Sequence, residues 1–279
     1  MLEKNKKGKK DFMDLKRIIT ALIGLPSMVL AIILGNKYII GIGIVIVGII
    51  CMYEYFGVIK KVSKPIEWVG YLSTILIVSA IFIEASKMIT LVTYSIPFFM
   101  LLLFLQVIIT NMRTNFKDVA YTFIGIIYIS FFLMFIVLIR GLEHGKILMG
   151  YTLIISWATD IFAYLIGRKF GKHKFSKISP KKSIEGSIAG IIGSIVISVI
   201  YTFIISKYWQ IHNQYTLVIF ATFILSIISQ IGDFVASSIK RFVDVKDYSE
   251  LLPGHGGMLD RIDSLLFILP FSYIICLFI

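Results

Sequence analysis

The feature that most constrains this 279-residue chain is a succession of apolar runs, most of them close to the twenty or so residues that cross a bilayer as a helix. They fall at about 18–35, 38–57, 68–85, 88–110, 119–139, 147–167, 184–206, 215–237 and 264–279. Backbone in hydrocarbon must satisfy its own hydrogen bonds, and runs of this length do so as helices. The predicted fold class is therefore all-α: a polytopic transmembrane protein with about nine spans. The first two runs are joined by a very short turn, Gly35–Lys37. The last run is short, and its helix can begin as early as Leu259. The first run is longer than a signal-peptide core and has no convincing cleavage site, so it is expected to be retained as a span. Hydrophobic residues make up 58% of the chain, which leaves essentially nothing for a soluble domain. The expected organisation is a basic tail over 1–17 followed by one transmembrane domain over 18–279.

The net charge is +12, and its distribution argues against nucleic-acid binding. The bases sit in short loops between the runs, where positive charge sets topology. With the N-terminus in the cytoplasm, 23 of the 28 Lys and Arg residues fall on the cytoplasmic side and five on the other. This orientation puts the two richest loops, after the sixth and eighth runs, on the same face, where they can meet over one site. The basic Lys4–Lys10 run suits anionic headgroups as well as topology. Cys51 and Cys276 both lie in apolar runs and suggest neither a disulfide nor a zinc site.

One polar stretch interrupts this pattern near the end, from Ser237 to Asp263. It holds five acids, four bases and a histidine between two apolar runs. Gln230, Asp233, Ser237 and Lys240 recur at i, i+3, i+7 and i+10, on one side of a helix. Asp233 lies within an apolar run and must face protein, water or a metal. Gly254, Gly256 and Gly257 let backbone approach a ligand. Asp260, Asp263 and Ser264 share a face at the start of the last helix. Helix N-terminal amides and Gly-rich turns suit phosphate. Carboxylates with spare oxygens suit magnesium, and Lys240, Arg241, Lys246 and Arg261 suit a polyphosphate.

The loop after the sixth run carries a second polar block. Asp160, Tyr164 and Arg168 share a helix face, and Asp160 is again an acid inside an apolar run. Gly167, Gly171, Ser179, Pro180, Lys181, Lys182, Ser183, Glu185 and Gly186 follow. Paired lysines and hydroxyls beside a helix start make a triphosphate clamp. A basic topology loop would account for the charge but not for Ser-Pro-Lys-Lys-Ser-x-Glu-Gly.

Both blocks resemble those of the phosphatidate cytidylyltransferases (CDP-diacylglycerol synthases). The first matches at Ser237, Ile239, Lys240, Arg241, Lys246, Asp247, Ser249, Leu252, Pro253, His255, Gly256, Gly257, Asp260, Arg261 and Asp263. In the second, Ser183 stands where threonine is commoner, and the hydroxyl is kept. The resemblance implies an integral enzyme of a bacterial-type inner or plasma membrane, with its active site on the cytoplasmic side. The implied substrates are CTP and phosphatidic acid, and the implied cofactor is magnesium. It assigns Asp233 and Asp260 to the metal, Asp263 near it, and Asp160 to ligation or ordering of the site. Lys181, Lys182, Lys240 and Arg241 would hold the triphosphate and the leaving pyrophosphate. Ser179, Ser183, Lys246, Asp247, His255, Gly256, Gly257 and Arg261 complete the expected substrate contacts, with His255 as a positioning group. A homodimer is compatible with the sequence but not specified by it.

Two other functions fit the residues less well. A related enzyme would use another lipid phosphate, or CTP as phosphoryl donor to a polyprenol. A transporter also places aspartates inside spans but would show broken helices at the midplane and pseudo-symmetric halves, whereas here the acids cluster at one face and the halves show no similarity. Glu54 reads as an acid that snorkels or pairs with Lys60 or Lys61. His144 and His212 read as solvated, and His173 as one more charge in a basic loop.

Overall fold

The computed structural model describes residues 35–83, 85–174, 179, 182–209, 215–252 and 256–278. The basic tail, nearly all of the first apolar run, Ser176, Pro180, Lys181, His212, Asn213, Pro253, Gly254 and His255 lie outside the described residues. Nine α-helices account for most of the rest: α1 (Lys37–Ile59), α2 (Glu67–Val78), α3 (Ala85–Ile109), α4 (Phe116–Gly125), α5 (Phe132–Gly141), α6 (Gly145–Phe170), α7 (Ile184–Trp209), α8 (Tyr215–Phe242) and α9 (Leu259–Cys276). A 3-10 turn, Ser79–Phe82, follows α2, and a π-turn, Ile126–Phe131, joins α4 to α5. Among the described residues the only β pairing is two isolated bridges, Lys174 with Ser183 and Leu252 with Gly256.

The eight later apolar runs all become helical. Among the described residues, five helices are long and apolar enough to cross a membrane: Tyr38–Ile59, Phe116–Gly141, Gly145–Phe170, Ile184–Lys207 and Tyr215–Phe242. Glu67–Val78 and Thr93–Ile109 are shorter apolar helices. The last helix starts at Leu259, and Asp260, Arg261 and Asp263 lie in its first five residues.

The chain divides into two compact units. The first comprises residues up to Ile129 together with Val243–Ile262. Asn36 starts α1 by accepting the amides of Tyr38 (3.1 Å) and Ile39 (2.9 Å) on its side-chain oxygen. Its core is the buried set Met52, Tyr55, Phe56, Ile59, Val69, Ile77, Phe99 and Leu103. Asp118 is buried here as a hub. It accepts the Ser63 hydroxyl, the Lys64 amide (2.7 Å) and the Asn115 amide (2.9 Å), closing a capping box with Asn115.

The second unit comprises Ser130–Phe242 and Asp263–Ile279. Helix α6 packs against α7 and α8, and glycines set the α6–α7 approach. A Cβ on Gly186 would sit 2.7 Å from the Ala163 carbonyl oxygen, and one on Gly190 2.8 Å from that of Thr159. Small residues of this kind let backbones in a membrane close on one another. Hydroxyl pairs link the buried faces: Thr152 with Ser272 (2.5 Å), Ser156 with Ser264 (3.2 Å), Thr159 with Ser226 (2.9 Å) and Tyr151 with Thr222 (2.8 Å). Helix α7 turns Ile188, Ile192, Val196, Ile200 and Phe203 outward, an apolar face suited to lipid.

Candidate active site

Within the second unit, α8 carries the polar row expected of it. Gln230 Nε2 donates to the Ser187 carbonyl (3.2 Å), and the Ser237 hydroxyl donates to Asp233 Oδ1 (3.4 Å). The other carboxylate oxygen of Asp233 pairs with Lys182 Nζ at 2.5 Å. That ammonium also lies 4.0 Å from the Phe234 ring centroid, a cation–π contact. Asp263 is buried at the head of α9 and has Asp233, Lys240 and Asp160 as electrostatic neighbours. Lys240 is buried as well. Asp160 Oδ2 accepts the Ser264 hydroxyl (2.9 Å), and Asp263 Oδ1 accepts the Ser264 amide (2.7 Å). Three acids and two lysines thus form one charged group at the ends of apolar helices, with Asp263 and Lys240 buried, Lys182 and Asp233 half-buried and Asp160 exposed.

The basic loop before α7 is tied at both ends. His173 Nδ1 meets Glu185 at 2.6 Å, and the Ile184 amide donates to the His173 carbonyl (3.0 Å). His173 is therefore more than an added charge. Ser183 is buried and caps α7, its Oγ accepting the Gly186 amide (3.2 Å). This gives a structural reason for the hydroxyl and for Glu185 in the block. Arg168 donates to the Tyr164 hydroxyl (3.2 Å), along the predicted helix face. Ser179 accepts the Lys182 amide through its carbonyl (3.1 Å).

Within the first unit, Tyr248 and Gly257 are bound to the head of α9. Asp260 Oδ2 accepts the amides of Tyr248 (2.8 Å) and Gly257 (3.0 Å). The Leu252 amide donates to the Gly256 carbonyl (2.9 Å), closing the turn. Gly256 has φ +80°, a left-handed conformation that glycine adopts without steric cost. Asp247 lies against it, and Lys246, Asp247 and Arg261 are exposed, as is Arg241 in the second unit. The sequence reading of Glu54 is corrected here. Glu54 is buried and accepts the Ser249 hydroxyl and the Met258 and Leu259 amides, while Lys60 pairs instead with Glu67 at 2.8 Å. The signal was available: an acid in the middle of an apolar helix, as for Asp160 and Asp233.

The arrangement suits anions and hard cations, since lysines and carboxylates stand together. The sequence model of the cytidylyltransferase family matches residues 15–279. The chain belongs to the cytidylyltransferase family. Proteins named phosphatidate cytidylyltransferase from Bacillus subtilis, Staphylococcus haemolyticus and Thermotoga maritima are 36%, 38% and 39% identical to it over 178, 164 and 166 residues. These alignments cover 63%, 58% and 57% of this chain, and 65%, 61% and 60% of the relatives' own lengths. The chain thus spans somewhat under two thirds of the curated cytidylyltransferases it matches.

Proposed function

We propose that this family member is a CTP:phosphatidate cytidylyltransferase, converting CTP and phosphatidic acid into CDP-diacylglycerol and pyrophosphate. The observation that carries the reading is the charged group of Asp160, Asp233, Asp263, Lys182 and Lys240 at the ends of otherwise apolar helices. Membrane helices have no stability reason to collect such groups. The substrates are taken from the name its relatives share.

In this reading an ionised oxygen of the lipid phosphate attacks the α-phosphorus of CTP. The new P–O bond forms as the bond to the bridging oxygen breaks, and pyrophosphate leaves. Both reactants are anions, so the protein's work is neutralisation and alignment. Lys181, Lys182, Lys240 and Arg241 supply positive charge, and no strong general base is required. The donor chemistry fits magnesium, which takes oxygen ligands from one or two carboxylates plus substrate phosphates. Among the described residues no three His, Cys, Asp or Glu side chains form a ready-made cage. Asp233 and Asp263 would hold the ion with Asp160 beside them, and the resemblance to the phosphatidate cytidylyltransferases implies the same role for Asp260. When bound, it would neutralise charge on the phosphates. Phosphatidic acid stays in the bilayer, since each buried methylene holds it by about 0.8 kcal/mol.

The charge asymmetry of the loops supports nine spans, a cytoplasmic N-terminus and a cytoplasmic site in a bacterial-type plasma membrane. In a protein with Cys51 and Cys276 changed to Ala, cysteines placed at Ser176 and Ser249 should react with impermeant reagent from the cytoplasmic side. One at Asn213 should react from the other side. Labelling of Ser176 and Ser249 positions from opposite faces would overturn this orientation. The activity is tested by incubating purified protein with CTP, radiolabelled phosphatidate and magnesium. Chromatography should show labelled CDP-diacylglycerol, and unchanged phosphatidate would refute the proposal.

A further inference from the structure

Three consecutive amides at the head of α9 are already taken by carboxylates. Gly257 N–H donates to Asp260 Oδ2 at 3.0 Å, Met258 N–H to Glu54 Oε1 at 2.8 Å, and Leu259 N–H to Glu54 Oε2 at 2.7 Å. Glu54 Oε1 also accepts the Ser249 hydroxyl at 2.6 Å. Glu54 is 1% exposed and comes from α1, about 200 residues away in sequence. Gly257 is buried against it, and a Cβ there would lie 2.7 Å from Glu54 Oε2. Glycine at 257 is thus required by the carboxylate, not by φ.

These facts combine simply. The first amides of a helix have no partner within it and attract anions. An open terminus at Met258 and Leu259 would draw a substrate phosphate. Glu54 fills that place and at the same time holds both ends of the segment between Ser249 and Leu259. That segment carries Gly256 and leads directly into Asp260, while Lys246 and Asp247 stand immediately before it.

We propose that Glu54 is a positioning residue for the proposed cytidylyl transfer: it ties Ser249, Met258 and Leu259 to α1 and so sets the pose of Asp260. The inference rests on the reading above for its kinetic consequence but not for the latch itself. Glutamine at 54 keeps the volume, but its amide group cannot accept the hydrogen bonds that one carboxylate oxygen now takes. Aspartate keeps the charge and falls short by one methylene.

The test uses the purified full chain in lipid nanodiscs, with Glu54→Gln, Glu54→Asp and Ser249→Ala. Hydrogen–deuterium exchange is read on peptides covering 248–260, and kcat and KM for CTP are read separately. Losing a hydrogen bond to a charged group should raise exchange at Met258 and Leu259 roughly tenfold and cut kcat roughly tenfold in Glu54→Gln, with KM for CTP within about twofold. Glu54→Asp should behave alike, and Ser249→Ala should give a smaller change in the same direction without threatening the fold. Ser249→Ala should add little in the Glu54→Gln background, because both changes open one latch. Unchanged exchange in both Glu54→Gln and Ser249→Ala would overturn the latch. A rise in KM for CTP with kcat intact would also overturn it, since a positioning residue does not act by substrate affinity. A wild-type protein with no cytidylyl transfer but with exchange that responds as expected would remove the reaction and keep the latch.

Discussion

The two units use carboxylates in opposite ways. In the first, Glu54 and Asp260 accept backbone amides, at Tyr248, Gly257, Met258 and Leu259. In the second, Asp233 is paired with the Lys182 ammonium, and Asp263 is buried with Lys240 as a cationic neighbour. An amide partner is fixed by the chain and holds shape. A lysine partner sits on a flexible stem, can turn to a phosphate, and leaves its carboxylate for a cation. Glu54, Asp260, Asp233 and Asp263 therefore divide into those that hold a loop and those whose partners can exchange.

The largest expected effect is at Asp263. Asp263→Asn removes a buried carboxylate from the group it forms with Asp233, Lys240 and Asp160, and activity should fall about a hundredfold or more. Retained activity would place Asp263 outside the functional group.

Asp260→Asn sharpens the comparison, because asparagine's oxygen still accepts the Tyr248 and Gly257 amides. The loop should hold, while activity at limiting magnesium falls about a hundredfold. Near-normal activity at limiting magnesium would leave Asp260 as a loop anchor only. Combined Lys181→Ala and Lys182→Ala should raise KM for CTP about tenfold, and KM for lipid less. A selective loss of lipid affinity would reassign these bases to the headgroup. The smallest effect is at His173, whose contact with Glu185 is largely exposed. His173→Ala should change activity by less than about twofold, as exposed ion pairs contribute little.

The helices and most of the charged row were legible because both follow periodicity. Apolar runs gave the helices, and the four-residue spacing of Asp233 and Ser237 survives as a contact on α8, while Gln230 reaches the Ser187 carbonyl of α7. The head of α9 at Leu259 was legible for the same reason. Partners distant in sequence were not. Glu54 bonds Ser249, Met258 and Leu259, 195 to 205 residues further on, and nothing local to α1 announces them. The nearby lysines made a local partner plausible, whereas Lys60 took Glu67. Ser183 and Glu185 read as substrate-block residues, yet the structure gives them local work as helix cap and loop tie.

The central claim is that this chain moves a cytidylyl group to a lipid phosphate. The most direct measurement gives the purified protein phosphatidate, magnesium and CTP labelled either at the α-phosphorus or at the γ-phosphorus. Label from the α position should appear in a lipid that migrates as CDP-diacylglycerol, and label from the γ position should appear only in pyrophosphate. Lipid carrying γ label, or no labelled lipid from either substrate, would contradict the account.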